Sequence, residues 1–163
     1  MNNTDSNKIF INKSKKLSGF TLVEIIVIIT ILAILTFISI NVLKNFRDHE
    51  ALTKSASLIV ETLRQAKNLT LNSKDSYEYG VHFNTNDMVL FRGSTYPIGS
   101  STNITYDFNS SVVVSNTTLN GGGSDIIFKK LSGETNNNGT ITLTSELSKT
   151  SQVITVYKTG LVE

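Results

Sequence analysis

Nineteen consecutive residues without a charge, Ile25 to Leu43, constrain this chain more than any other feature. A helix of about 20 apolar residues is long enough to cross the hydrocarbon core of a bilayer. Glu24 stands at the leading edge of the run, where an unpaired carboxylate is costly. Four lysines, Lys8, Lys13, Lys15 and Lys16, come before it. Lys44, Arg47, Asp48 and Glu50 follow it and nearly cancel. Lysine excess on one flank predicts that flank in the cytoplasm and the body outside.

The junction ahead of the run reads Lys15-Lys16-Leu17-Ser18-Gly19-Phe20-Thr21-Leu22-Val23-Glu24. An ordinary secretory signal has a shorter apolar region and a small-residue cleavage site after it. A cut at Gly19 lies before the apolar run, so the hydrophobic helix stays on the product. The layout resembles the type III signal of type IV prepilins and type II secretion pseudopilins. In that family a membrane-embedded aspartyl peptidase cuts after the glycine and N-methylates the new terminal residue. The resemblance implies cleavage between Gly19 and Phe20, N-methylation of Phe20, and a role in filament assembly for Glu24. Methylating the amine would keep its charge while adding apolar surface. Glycine lets a peptidase approach the backbone closely. A carboxylate one turn from a charged terminus can meet the amine of a neighbouring subunit, setting the stagger of parallel helices.

Removing residues 1–19 takes four of the fifteen basic side chains and one of the thirteen acidic ones. Eleven basic and twelve acidic residues remain, so the body is nearly neutral. It lacks the basic footprint of a general nucleic-acid binder. With no cysteine there is no disulfide and no thiolate metal site.

Leu52, Ala56, Ile59, Leu63, Ala66 and Thr70 recur at spacings of four and three. This is one face of an amphipathic helix. No Pro or Gly interrupts residues 20–73, so the apolar run and this stripe read as one helix, ~80 Å long at the usual rise. Asn72 to Ser76 is the expected end. The pattern then changes to period 2. Tyr77, Tyr79, Val81 and Phe83 alternate with Glu78, Gly80, His82 and Asn84. Asn84 to Asp87 reads as a hairpin loop into Met88–Phe91. Ile104 to Phe108, Val112–Val114, Ile126–Phe128, Ile141 to Leu143 and Val153 to Tyr157 complete about seven short strands. Gly121-Gly122-Gly123 and Asn136 to Gly139 are expected connections, and Pro97, the only proline, falls in a loop.

The expected fold class is therefore α+β, a long N-terminal helix packed on antiparallel β-sheets, which is the pilin plan. The domain reading is 1–19 leader peptide, 20–43 transmembrane and filament-core half-helix, 44–76 amphipathic half-helix and 77–163 β-rich globular domain. The glycine-marked turn at Phe128 to Gly133, the strand Gly139-Thr140-Ile141-Thr142-Leu143 and the terminal Val153 to Gly160 resemble the GspH/FimT type of minor pilin and pseudopilin. Two features depart from the family. Many pilins carry a proline in the apolar segment where this chain has Asn41. The DNA-binding branch of the FimT type carries arginines after the terminal glycine, where this chain has Leu161-Val162-Glu163.

The resemblance implies a structural subunit, not an enzyme. Its partners would be a prepilin peptidase, other pilins or pseudopilins, and, indirectly, an inner-membrane assembly platform with a motor ATPase. It would sit in the cytoplasmic membrane and then in a periplasmic or extracellular filament. Nucleic acid is not an expected partner. No catalytic constellation, phosphate loop or cofactor motif is present in the sequence. His49 and His82 have no metal-ligand spacing and read as exposed and inert. Asp107 and Asp125 lack the dense acidic loop of a calcium site. Lys129-Lys130 reads as a solvated turn. Thr30, Thr36 and Ser39 are expected to bond back to their own helix. Two other readings stay open: a ligand-binding tip pilin, adhesive or DNA-capturing, and a plain single-pass membrane protein.

Overall fold

The computed structural model describes residues 19–72 and 77–163, with the side chains of 38–45 excepted. The expected leader up to Ser18, with its four lysines, and the expected helix stop at 73–76 lie outside these residues. So do the side chains of Ser39, Asn41 and Lys44. The chain divides into two compact units, 1–40 and Asn41–Glu163.

One helix, α1, runs Leu22–Asn72, 51 residues. Its N-terminus is capped by Thr21. The Thr21 hydroxyl accepts from the Glu24 N–H at 3.2 Å, and the Thr21 carbonyl accepts the first helical bond from the Ile25 N–H. Thr30 and Thr36 donate to the carbonyls of Ile26 and Leu32 one turn back, which satisfies both hydroxyls within the helix. In the first unit the side chains from Leu22 to Phe37 are all exposed.

The second unit is built of the remainder of α1 and seven strands: β1 Tyr79–Phe83, β2 Asp87–Arg92, β3 Ile104–Asp107, β4 Val112–Leu119, β5 Asp125–Phe128, β6 Gly139–Ser145 and β7 Ser151–Val156. They form a four-stranded sheet in the order β3-β2-β1-β5 and a three-stranded sheet in the order β4-β6-β7. Every pairing is antiparallel. The β1–β2 hairpin closes with Asn84 N–H donating to Asp87 O and Asn84 Nδ2 to Asp87 Oδ1. In β4 the register slips between Val114 and Asn116. Ser115, the extra residue, spends its hydroxyl on the Thr142 carbonyl across the sheet.

The stripe read from the sequence is the face that packs. Leu52, Ala56, Ile59, Leu63, Ala66 and Thr70 are all buried, and the apolar ones join one core with both sheets through Val81, Ile126, Ile141, Leu143 and Ile154. Burying each Leu or Ile contributes about 1.5–3 kcal/mol. Thr70 is tolerated there because its hydroxyl donates to Ala66 O and accepts from Tyr79 N–H. That second bond ties the end of α1 to the start of β1. Strand β6 alternates cleanly, with Ile141, Leu143 and Ser145 inward and the threonines between them outward.

One reading from the sequence fails. His82 was expected to stand exposed on a polar strand face. Its side chain is only 22% exposed, because apolar neighbours stand beside Asp125 and Asn84 on that face. Register places Val89 opposite His82, and Phe91 and Ile127 opposite Gly80. Phe91 and Val89 are buried there, apart from the main core. Tyr96, from the β2–β3 loop, stacks on His82 with ring centroids 4.1 Å apart and leans on Phe91 at 5.4 Å. His82 Nδ1 donates to Asp125 Oδ1 at 2.5 Å, and its Nε2 lies 3.1 Å from Asn84 Oδ1.

Candidate functional site

The residues singled out for processing and assembly lie within six positions at the start of α1, two before it and one in its first turn. Gly19, Phe20 and Thr21 are non-helical, and helix begins at Leu22. Gly19 is exposed, and a Cβ built on it would meet nothing within 4 Å. Phe20 is 75% exposed. The peptide bond between them is thus exposed, non-helical backbone directly ahead of a capped helix.

Glu24 occupies the third position of that helix. A carboxylate there faces the positive end of the helix dipole and the unsatisfied N–H groups of the first turn. Thr21-Leu22-Val23-Glu24 has the spacing of a capping box, in which the threonine hydroxyl serves the N–H of the fourth residue. That bond is present at 3.2 Å. Sequence reasoning assigned no role to Thr21, although the Thr-x-x-Glu spacing is its signature. Glu24 is exposed, so its carboxylate is available to a group outside the first unit.

The remaining candidates are dispersed. His49 is exposed on α1. Nearby, Lys54 donates to Glu50 across one turn at 2.8 Å, and that hydrogen bond holds the Glu50 carboxyl below its ordinary range. Asp125 faces His82, while Asp107 pairs in register with Asp87 at the edge of the larger sheet. Among the described residues, no group of three or more His, Cys, Asp or Glu could hold a metal ion. Lys130 is exposed in the turn after β5. The terminal glycine of the sequence pattern, Gly160, sits in a turn closed by its own N–H donating to Tyr157 O. Two cations of α1 reach this end of the chain: Lys67 Nζ donates to the carbonyls of Thr159 and Gly160, both at 3.1 Å, and Arg64 Nη2 to that of Val162 at 3.3 Å.

Among the described residues no helix is long and apolar enough to cross a membrane. In the first half of α1 the described side chains end at Phe37, whereas the uncharged run of the sequence continues to Leu43.

No curated protein and no solved structure matches the chain significantly. Residues 14–40 match the family model of the prokaryotic N-terminal methylation motif. The match spans the lysine-flanked glycine, the Phe20–Glu24 turn and most of the apolar run. This motif marks type IV prepilin-like proteins, and the helix-on-antiparallel-sheets body is consistent with an α+β pilin fold.

Proposed function

We propose that this chain is a minor pilin or GspH-like pseudopilin, cut between Gly19 and Phe20, N-methylated on Phe20, and built into an envelope filament. The observation that carries the reading is the junction itself. A glycine with open surroundings and an exposed phenylalanine stand in non-helical backbone immediately before a helix capped by Thr21. A peptidase needs extended, reachable backbone, and helical backbone would deny it.

The all-apolar first half of α1 supports a double use. Such a surface exposed all round belongs in lipid or among sister helices. The continuation of the uncharged run to Leu43 supports a membrane anchor before assembly. Glu24 then acts in register. Inside a bundle of parallel helices its carboxylate is costly unless a cation meets it, and the methylated amine of a neighbour is the nearest candidate at the required stagger. The motor, platform and sister subunits follow from this reading as partners.

The test is intact mass with N-terminal sequencing of the protein from native membranes. A chain beginning with N-methylated Phe20 is the expected result. A chain that keeps Met1 to Gly19 in cells with an active prepilin peptidase would sink the proposal. Glu24→Ala separates the assembly role from anchoring: membrane insertion and cleavage persist while incorporation into filaments falls. Unchanged incorporation would remove Glu24 from the mechanism.

A further inference from the structure

Strand β7 is an edge strand of the smaller sheet, and its edge is only half covered. Antiparallel pairing alternates which side of a strand its N–H and C=O groups face. Thr150 O accepts from Ser145 N–H, so the even-numbered residues of this stretch face β6. The odd-numbered ones face outward. At one end the chain covers them itself: Thr155 and Glu163 exchange both backbone bonds, at 2.7 and 3.0 Å, and Tyr157 N–H donates to Leu161 O. Val156 and Val162 form the bridge between them. At the other end the same edge continues through Val153 and Ser151. Their outward N–H and C=O groups have no backbone partner among the described residues.

Beside this free stretch lies an open groove of about 870 Å³. One wall is the β7 edge, with Gln152, Val153 and Ile154. The other is α1, with Val60, Arg64 and Leu69. The trough is mixed, with Glu61, Gln65 and Asn68 beside Val60 and Leu69, and a strand edge facing a helix across such a trough is a geometry in which an extended peptide can add by β-augmentation. The volume lies within the roughly 300–1,000 Å³ of ligand sites, which suits a short segment and not a second folded body. Val153 is 56% exposed, an apolar residue on an uncovered edge, where sheets otherwise place charge or proline to prevent pairing.

We propose that this groove receives an extended segment of a different protein, not of a second copy of this chain. The segment adds to β7 antiparallel, in line with the chain's own 161–163, and bonds the outward groups of Val153 and Ser151. Its directly opposed residue shares the outer face with Val153. Its neighbours to either side point at Val60 and Ile154, so the segment alternates apolar with polar residues. Recognition through backbone groups requires an extended polypeptide; a sugar or a nucleic acid cannot present N–H and C=O groups at strand spacing.

The experiment uses the full chain in detergent micelles and reads amide exchange at Ser151 and Val153 by NMR. The probe is the blocked peptide Gly-Thr-Ile-Thr-Leu-Thr-Ser, which copies β6, the strand that already pairs with the other edge of β7. At a peptide concentration about ten times its Kd, exchange at both amides slows about tenfold, while that at Thr155, already bonded, is unchanged. Val153→Pro removes one outward donor without touching the β6 ladder; it abolishes the slowing at Ser151, and Val153→Thr retains it. The same peptide with every backbone nitrogen methylated gives no protection of the wild-type chain, a control that does not depend on any variant folding. Unchanged exchange at both amides in millimolar peptide would overturn the proposal, as would equal protection by the methylated peptide. Protection that rises with protein concentration alone would overturn it in favour of a second copy.

Discussion

Gly160 lies with a positive φ of 71° against the main-chain carbonyl of Gly133, which itself has a φ of 65°. A Cβ at Gly160 would overlap that carbonyl, and the aliphatic stem of Lys67 closes on Gly133 from the helix side. The turn after β5 and the turn after β7 therefore meet through two glycines, under the lysine that donates to Thr159 and Gly160. Gly160→Ala combines left-handed strain with a backbone clash and should cost about 3 kcal/mol. Urea unfolding of the full chain in detergent, followed by tyrosine fluorescence, checks it. The midpoint should fall with the slope unchanged.

Thr21→Ala should fray the start of α1. Loss of a threonine cap costs about 1 kcal/mol, and here it frees the Glu24 N–H. Amide exchange at Glu24 and Ile25 should quicken about fivefold, as that energy requires. Thr21→Ser, which keeps the hydroxyl, should restore protection. Equal exchange in all three proteins would mean that the cap does not set where helix begins.

Much of this was legible because the physics is local. The stripe from Leu52 to Thr70 follows from helical period alone, and each of its members is buried. Strand β1 follows from alternation, and β2 and β6 from short apolar runs beside turn residues. The methylation motif over residues 14–40 was legible because a lysine cluster, a glycine and an uncharged run fall in one short window. The surroundings of His82 were not legible, because alternation along one strand does not reveal what adjacent strands place on that face. Only register brings Val89, Phe91 and Ile127 beside it. Gly80 belongs to the same pattern: a Cβ there would stand 2.6 Å from Phe91 Cζ, a crowding set across two strands. The half-covered edge of β7 was hidden for a related reason, since it depends on how 161–163 folds back.

Tyr96→Ala should uncover the second apolar cluster of the larger sheet. The ring stacks on His82 and leans on Phe91. A stacked aromatic pair is worth about 0.5–1.5 kcal/mol beyond its burial. The loss should appear as faster exchange in the loop between β2 and β3 and as binding of a hydrophobic dye. The main core, which does not include Phe91, should keep its protection. Tyr96→Phe retains the ring and should behave as wild type. Collapse of protection in Ile59 and Leu63 as well would show that the two clusters are one cooperative unit.

Leu63 and Leu32 belong to one helix and should respond oppositely to the same substitution. Leu63 is fully buried against both sheets, while Leu32 is 57% exposed in the first unit. Leu63→Ala leaves a cavity and should cost about 2–5 kcal/mol of stability. Leu32→Ala removes no contact within the folded body and should change its unfolding by less than about 0.5 kcal/mol. If the first half of α1 works between subunits, Leu32→Ala should instead reduce incorporation into filaments in cells while the protein remains at wild-type abundance. Leu63→Ala should lower abundance first. A Leu32→Ala protein that is both as stable and as well incorporated as wild type would argue that this face is an anchor alone. A loss of folding stability at Leu32 would place the first half of the helix inside the fold, contrary to its exposure.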